Sequence, residues 1–223
     1  MKTVPPAAAL TVLCAVMREP QLRPTDIVHQ GCHFFDINGH KAHWAGDTID
    51  LPCSDYTGTC YTKKLAVLLQ RMLETNHDFF YYVESDHHIC TPMATLETLA
   101  ARYMVNTGYG LITTGIGASG WLFTRHWAQH YLEALTTCTE WCYCPDCIAA
   151  FLQQPRATTR VVLTQHSVAN KAGLSANNKP LPRCYQKRTE FGINRFDFFD
   201  HRKCKHADIT PCTSNNWGIF TGH

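Results

Sequence analysis

The run Phe79-Phe80-Tyr81-Tyr82-Val83 leads directly into Glu84-Ser85-Asp86, so two carboxylates stand one residue apart at the end of a segment dense in strand-forming side chains. Hard divalent cations take oxygen ligands, and an acid-x-acid step at a strand end suits an ion held against phosphate groups. Without a cation, like-charge repulsion would raise the pKa of one acid, and a solvated acidic turn is the plainer alternative. His87 and His88 adjoin the pair; neighbours in extended chain point opposite ways, so at most one of them faces it. In Gly115-Ile116-Gly117-Ala118-Ser119-Gly120, Gly117 and Gly120 permit close backbone approach to a ligand. Cys138, Cys142, Cys144 and Cys147 have thiol spacings open to structural zinc, although the Cys-x-Cys step and the lack of a second matched pair favour disulfides.

The elements that must position these groups can be read from periodicity. Leu10 to Val16 is an unbroken apolar run of strand length between Pro6 and Pro20, as in a parallel strand covered on both faces. Short strands are expected at His33 to Ile37 and Thr48 to Leu51, beside turn residues such as Gly39 and Pro52. Leu65, Leu68, Leu69, Met72 and Leu73 form one stripe of an amphipathic helix that begins near Lys63 and ends near Asn76. After the acidic turn, Thr91-Pro92 is expected as an N-cap followed by proline in the first helical position, with Leu96, Leu99, Ala100 and Tyr103 on one side of the helix. Strand, acidic turn and helix make a βα unit of an open α/β sheet, where ligands gather at the carboxyl ends of strands. Leu111 to Thr114 and Val161 to Thr164 are further expected strands, the second ending at Gln165-His166, and Arg125 to Leu135 is a further helix.

A chain of 223 residues suits one α/β domain, expected over residues 1–172, with a loop-rich, cysteine-containing extension over 173–223. A net charge of +2 speaks against nucleic-acid binding. Twelve cysteines lean towards an oxidising compartment. The apolar run Ala7 to Met17 is too short to span a bilayer, follows Pro5-Pro6 and lacks a small-residue cleavage site, so it is read as a buried strand rather than a signal peptide or anchor.

The order of these parts resembles the β-1,3-glycosyltransferases of the Fringe and core 1 galactosyltransferase kind. The resemblance runs from about Leu10 to His166 and rests on the first strand, Phe34-Phe35, Asp55-Tyr56 before the Lys63-Lys64 helix, Phe79 to Asp86, Gly115 to Trp121 and Pro145-Asp146. It implies a single GT-A (Rossmann-like) nucleotide-sugar-binding domain with a mostly parallel central sheet. It also implies a metal-dependent inverting hexosyltransferase that moves a hexose or N-acetylhexosamine from a UDP-sugar to a hydroxyl of a glycan or glycoprotein, in the secretory lumen and specifically the Golgi. Glu84-Ser85-Asp86 occupies the place of the family's Asp-x-Asp motif, which holds manganese against the UDP diphosphate, with glutamate standing for the first aspartate. By the same resemblance His166 completes the metal site, Asp146 is the base that deprotonates the acceptor, and Ser85, Gly117, Ser119, Gly120 and Trp121 line the nucleotide and sugar. The altered first acid and the serine inserted in the glycine segment motivate an alternative: a catalytically inactive relative that binds a glycan or a protein.

Overall fold

The structure is a computed structural model that describes residues 10–18, 31–55, 57–115, 120–139, 142–143, 145, 148–149, 152, 156–159, 162–166, 183–185 and 209–212. Eleven strands are found among them: β1 (Val12–Arg18), β2 (Cys32–Asn38), β3 (Lys41–Trp44), β4 (Asp47–Asp50), β5 (Phe79–Glu84), β6 (His87–Ile89), β7 (Leu111–Thr113), β8 (Trp121–Thr124), β9 (Arg156–Thr159), β10 (Thr164–His166) and β11 (Ile209–Cys212). The helices are α1 (Gly58–Leu73), α2 (Met93–Leu99), which runs on through a π-helical stretch at Ala100–Met104 into α3 (Val105–Thr107), and α4 (Arg125–Thr137).

Nine strands form one sheet in the order β11-β9-β7-β8-β5-β1-β2-β3-β4, while β10 and β6 pair separately. The mixed α/β class agrees with the sequence, but the mostly parallel sheet does not. Only β1–β2, β1–β5 and β7–β9 run parallel, against five antiparallel neighbours in the large sheet. The reason lies in the connections. Asn38 pairs with Lys41 and Trp44 with Asp47, so two-residue loops join β2 to β3 and β3 to β4, and links that short can connect only antiparallel strands. In the second loop Ala45 and Gly46 have φ of 52° and 93°, the paired left-handed conformation that matches strand twist. β8 then inserts antiparallel between β5 and β7.

Alternation along the strands builds two apolar layers. Leu13, Ala15, Met17, Phe80 and Tyr82 pack with Leu65, Leu68, Leu69, Met72, Trp127 and Tyr131 beneath α1 and α4. Val12, Cys14, Phe79, Tyr81 and Val83 pack with Leu96, Leu99, Ala100 and Met104 on the opposite face. The expected stripe of α1 is therefore buried, but the helix starts earlier than expected, because Thr57 caps it by accepting from the Cys60 N–H at 3.2 Å. Asp55 holds that cap, accepting from the Thr57 hydroxyl at 2.7 Å and its N–H at 3.0 Å; these bonds keep the Asp55 carboxyl below its ordinary pKa. α2 begins at Met93 with Pro92, not Thr91, at its N-cap, and no side chain caps it. Arg125 ties α4 to the far end of α1 by donating to the carbonyls of Leu73, Thr75 and His77.

Four disulfides join described residues: Cys14–Cys32, Cys53–Cys60, Cys90–Cys184 and Cys138–Cys142. They point to an extracellular or secretory location. Among the described residues no helix is long and apolar enough to cross a membrane. Cys138–Cys142 engages two of the four thiols weighed for zinc; Cys144 and Cys147 lie outside the described residues. Within the expected extension, Cys184 is bonded to Cys90, and β11 adds an antiparallel edge strand to β9, so these parts belong to the same body as the sheet.

Candidate functional site

Glu84 ends β5 beside Met17 of β1, and the Ser85 N–H donates to the Met17 carbonyl at 3.1 Å, so the acidic step sits at the carboxyl end of the parallel trio β2-β1-β5. Ligands collect at such an edge. Residues 85 and 86 turn the chain into β6, which brings His87 back over the pair. His87 is 2 % exposed, against 26 % for the Glu84 side chain and 15 % for that of Asp86. His88 is exposed, so His87 is the member of the histidine pair that faces the acids.

The donor atoms of Glu84, Asp86 and His87 all lie within 4.8 Å of one another. Oxygen ligands sit about 2.1 Å from magnesium and 2.3–2.6 Å from calcium, so opposed ligands of one ion are about 4–5 Å apart, and the three groups fit a single divalent cation. Two carboxylates and an imidazole also suit manganese in kind.

The hydrogen bonds specify what each atom offers. The Glu84 N–H donates to His87 Nδ1 at 3.3 Å, which leaves the proton of a neutral imidazole on Nε2. Nε2 lies 3.8 Å from Glu84 Oε2 and 3.7 Å from Asp86 Oδ1, so in this tautomer it turns an N–H towards both acids. Coordination through Nε2 requires the proton to leave that nitrogen. Glu84 Oε1 faces the other way and accepts from the Tyr61 hydroxyl on α1, whose oxygen in turn meets that of Tyr82 at 2.5 Å. Burial, and then the negative charge of Glu84, push the Tyr61 phenol well above its ordinary pKa of 10.0, so it remains a donor. Alternation along β5 explains the meeting, since Phe80, Tyr82 and Glu84 share the face covered by α1.

The remaining sequence-derived residues are distributed as follows. His166 is brought to the site by its backbone: β10 pairs antiparallel with β6, and the register sets His166 opposite His87. Ser85 is buried in the turn itself. Gly117, Ser119 and Asp146 lie outside the described residues. The Tyr143 carbonyl packs so tightly on Gly58, the first residue of α1, that a Cβ there would lie 2.1 Å from it, and the Pro145 carbonyl accepts from Tyr131 at 3.0 Å. Tyr143 thus borders the end of α1 that carries Tyr61, and Pro145 lies against Tyr131 of α4.

Gly120 and Trp121 face the protein rather than a ligand. Gly120 has φ +79°, and a Cβ on it would stand 2.3–2.6 Å from the hydroxyl oxygens of Thr114, Thr164 and Tyr81. Those three hydroxyls are bonded to one another, with Tyr81 2.7 Å and Thr164 2.8 Å from Thr114, and knot β5, β7 and β10 together behind the site. The close approach expected of this glycine is real, but what approaches is the chain's own polar cluster. Trp121 is 2 % exposed and packs among Tyr82, Trp127 and Tyr131, with ring centroids at 6.4, 5.9 and 5.7 Å. Tyr61 escaped the sequence reading: it lies 23 positions from Glu84, and no periodicity links a helix residue to a strand end. No protein-family pattern matches the chain, and no curated protein matches it either.

Proposed function

We propose that the chain is an inverting, metal-dependent glycosyltransferase that moves a hexose or N-acetylhexosamine from a UDP-sugar to a glycan hydroxyl in β-1,3 linkage, in the Golgi lumen. The observation that carries this reading is the convergence of Glu84, Asp86 and His87 at the carboxyl end of three parallel strands, with donor atoms within 4.8 Å of one another. Glu84 and Asp86 would hold manganese through oxygens, with His166, in register with His87, as the third ligand. When bound, manganese supplies positive charge opposite the diphosphate of the leaving UDP, worth several kcal/mol of barrier. Ser85, with Gly117 and Ser119 of the glycine segment, would border the donor. Asp146 would take the proton from the acceptor hydroxyl as it attacks. The test is a screen of UDP-sugars for manganese-dependent hydrolysis and transfer. The parent should release UDP and D86N should lose nearly all of that activity; equal rates in the two would eliminate the mechanism.

A second reading, a binding module without catalysis, draws on the hydrogen bonding of the cluster. Tyr61 donates to Glu84, and His87 Nε2 stands 3.8 Å from Glu84 and 3.7 Å from Asp86, so Glu84 has a hydrogen-bond partner without an ion. Calorimetry separates the readings, because a binding module of this kind gives no manganese-dependent heat with UDP.

A further inference from the structure

A second grouping of metal-binding side chains lies on α4. His126 and His130 are one helical turn apart, at i and i+4, so they project from the same face. Their ring centroids are 4.5 Å apart and their planes stand at 88°. Both are at least partly open to solvent, whereas Trp127, Ala128 and Tyr131 beside them are buried and anchor the backbone beneath the two rings. The neighbouring charge at Arg125 is directed to the carbonyls of Leu73, Thr75 and His77. Glu133, one turn beyond His130, is exposed and adds a carboxylate to the end of the stripe.

Imidazole nitrogens bind first-row metals at about 2.0–2.1 Å, which puts each ring centroid roughly 3.2 Å from the ion and the two centroids about 4.5–5.2 Å apart for ligand angles between square and tetrahedral. The observed 4.5 Å is at the square end of that span. We propose that His126 and His130 form a surface site for a borderline transition metal, completed by water, with copper(II) preferred over nickel(II) and zinc(II) by geometry and by the usual order of affinities. It is independent of the Glu84 turn, whose carboxylates suit harder ions.

The test is titration of the full chain with copper(II), followed by electron paramagnetic resonance and by thermal melting. Two-nitrogen hyperfine structure and a rise in melting temperature are expected. H126Q and H130Q should each weaken copper binding at least tenfold while melting with the parent in the absence of metal. H40Q, which changes an exposed histidine elsewhere, should leave copper affinity unchanged. Parent-like affinity in both H126Q and H130Q means a ring–ring contact only and overturns the site.

Discussion

Replacing Tyr61 by phenylalanine removes one hydroxyl from the centre of the candidate site. That hydroxyl donates to Glu84 Oε1 and lies 2.5 Å from the Tyr82 oxygen. A hydrogen bond to a charged group contributes about 1.5–3 kcal/mol. Because the Glu84 side chain is about a quarter exposed, water replaces part of the loss, and the lower end of that range applies. For a chain of this size about 1.5 kcal/mol lowers the melting temperature by about 3–6 °C. Cation binding should respond as well. Ordering a glutamate side chain costs up to about 2 kcal/mol, and the Tyr61 bond meets part of that cost before the ion arrives. Manganese affinity should therefore fall roughly three- to tenfold, tenfold being about 1.4 kcal/mol. The opposing effect is that the phenol draws charge from the carboxylate. It acts at Oε1, however, while Oε2 is the oxygen turned towards His87 and Asp86, so ordering wins. Scanning calorimetry of metal-free Y61F and titration calorimetry with manganese and UDP measure the two effects separately. A Y61F protein that melts with the parent and binds manganese more tightly would refute the positioning role of Tyr61.

Three further outcomes are expected. Gly120→Ala sets a Cβ against three hydroxyls at a left-handed φ, so urea denaturation should show a loss of roughly 2–5 kcal/mol from strain and overpacking; a loss under 1 kcal/mol would contradict the crowding seen around residue 120. Burial pushes the Tyr81 phenol up to about 12 from 10.0, so its contribution to stability is complete below pH 10 and is lost between about pH 10 and 12 as the unfolded chain gives up the proton. That amounts to roughly 2–3 kcal/mol; Y81F should flatten the decline of stability in this window, and an unaltered slope would count against it. Cys90–Cys184 closes a loop over a separation of 94 residues, for which the chain-entropy account gives about 4–5 kcal/mol, so C90A/C184A should show a correspondingly lower denaturation midpoint than the parent.

Much of the scaffold was legible from local pattern. The stripe Leu65, Leu68, Leu69 and Met72 is buried in α1 with Leu73 partly covered, the helix expected from Arg125 is α4, and Phe79 to Val83 is a central strand with the acidic step at its end. Each of these signals is local, a period of 3.6 in the helices and an unbroken run of strand formers in β5. β3, β6, β8, β9 and β11 were not foreseen, because three- and four-residue strands are held by their partners rather than by their own composition. The sheet's direction was misread for a related reason: a buried apolar strand such as β5 looks alike whether its neighbours run parallel or antiparallel, and β5 has one of each.

At the site, the sequence by itself determined that two acids follow a buried aromatic strand, that a histidine comes next, and that cysteines are numerous enough for an oxidising compartment. Tertiary structure alone decided that His87 rather than His88 turns inward, that Tyr61 holds Glu84, that Trp121 belongs to the core, and which described cysteines pair. The division follows the range of the forces. Backbone preference and side-chain alternation act over a few residues and leave a mark in the order of residue types. A bond between positions 61 and 84 exists only after α1 has docked on the face of β5 that carries Tyr82 and Glu84, and that docking is the joint result of burial along the whole sheet.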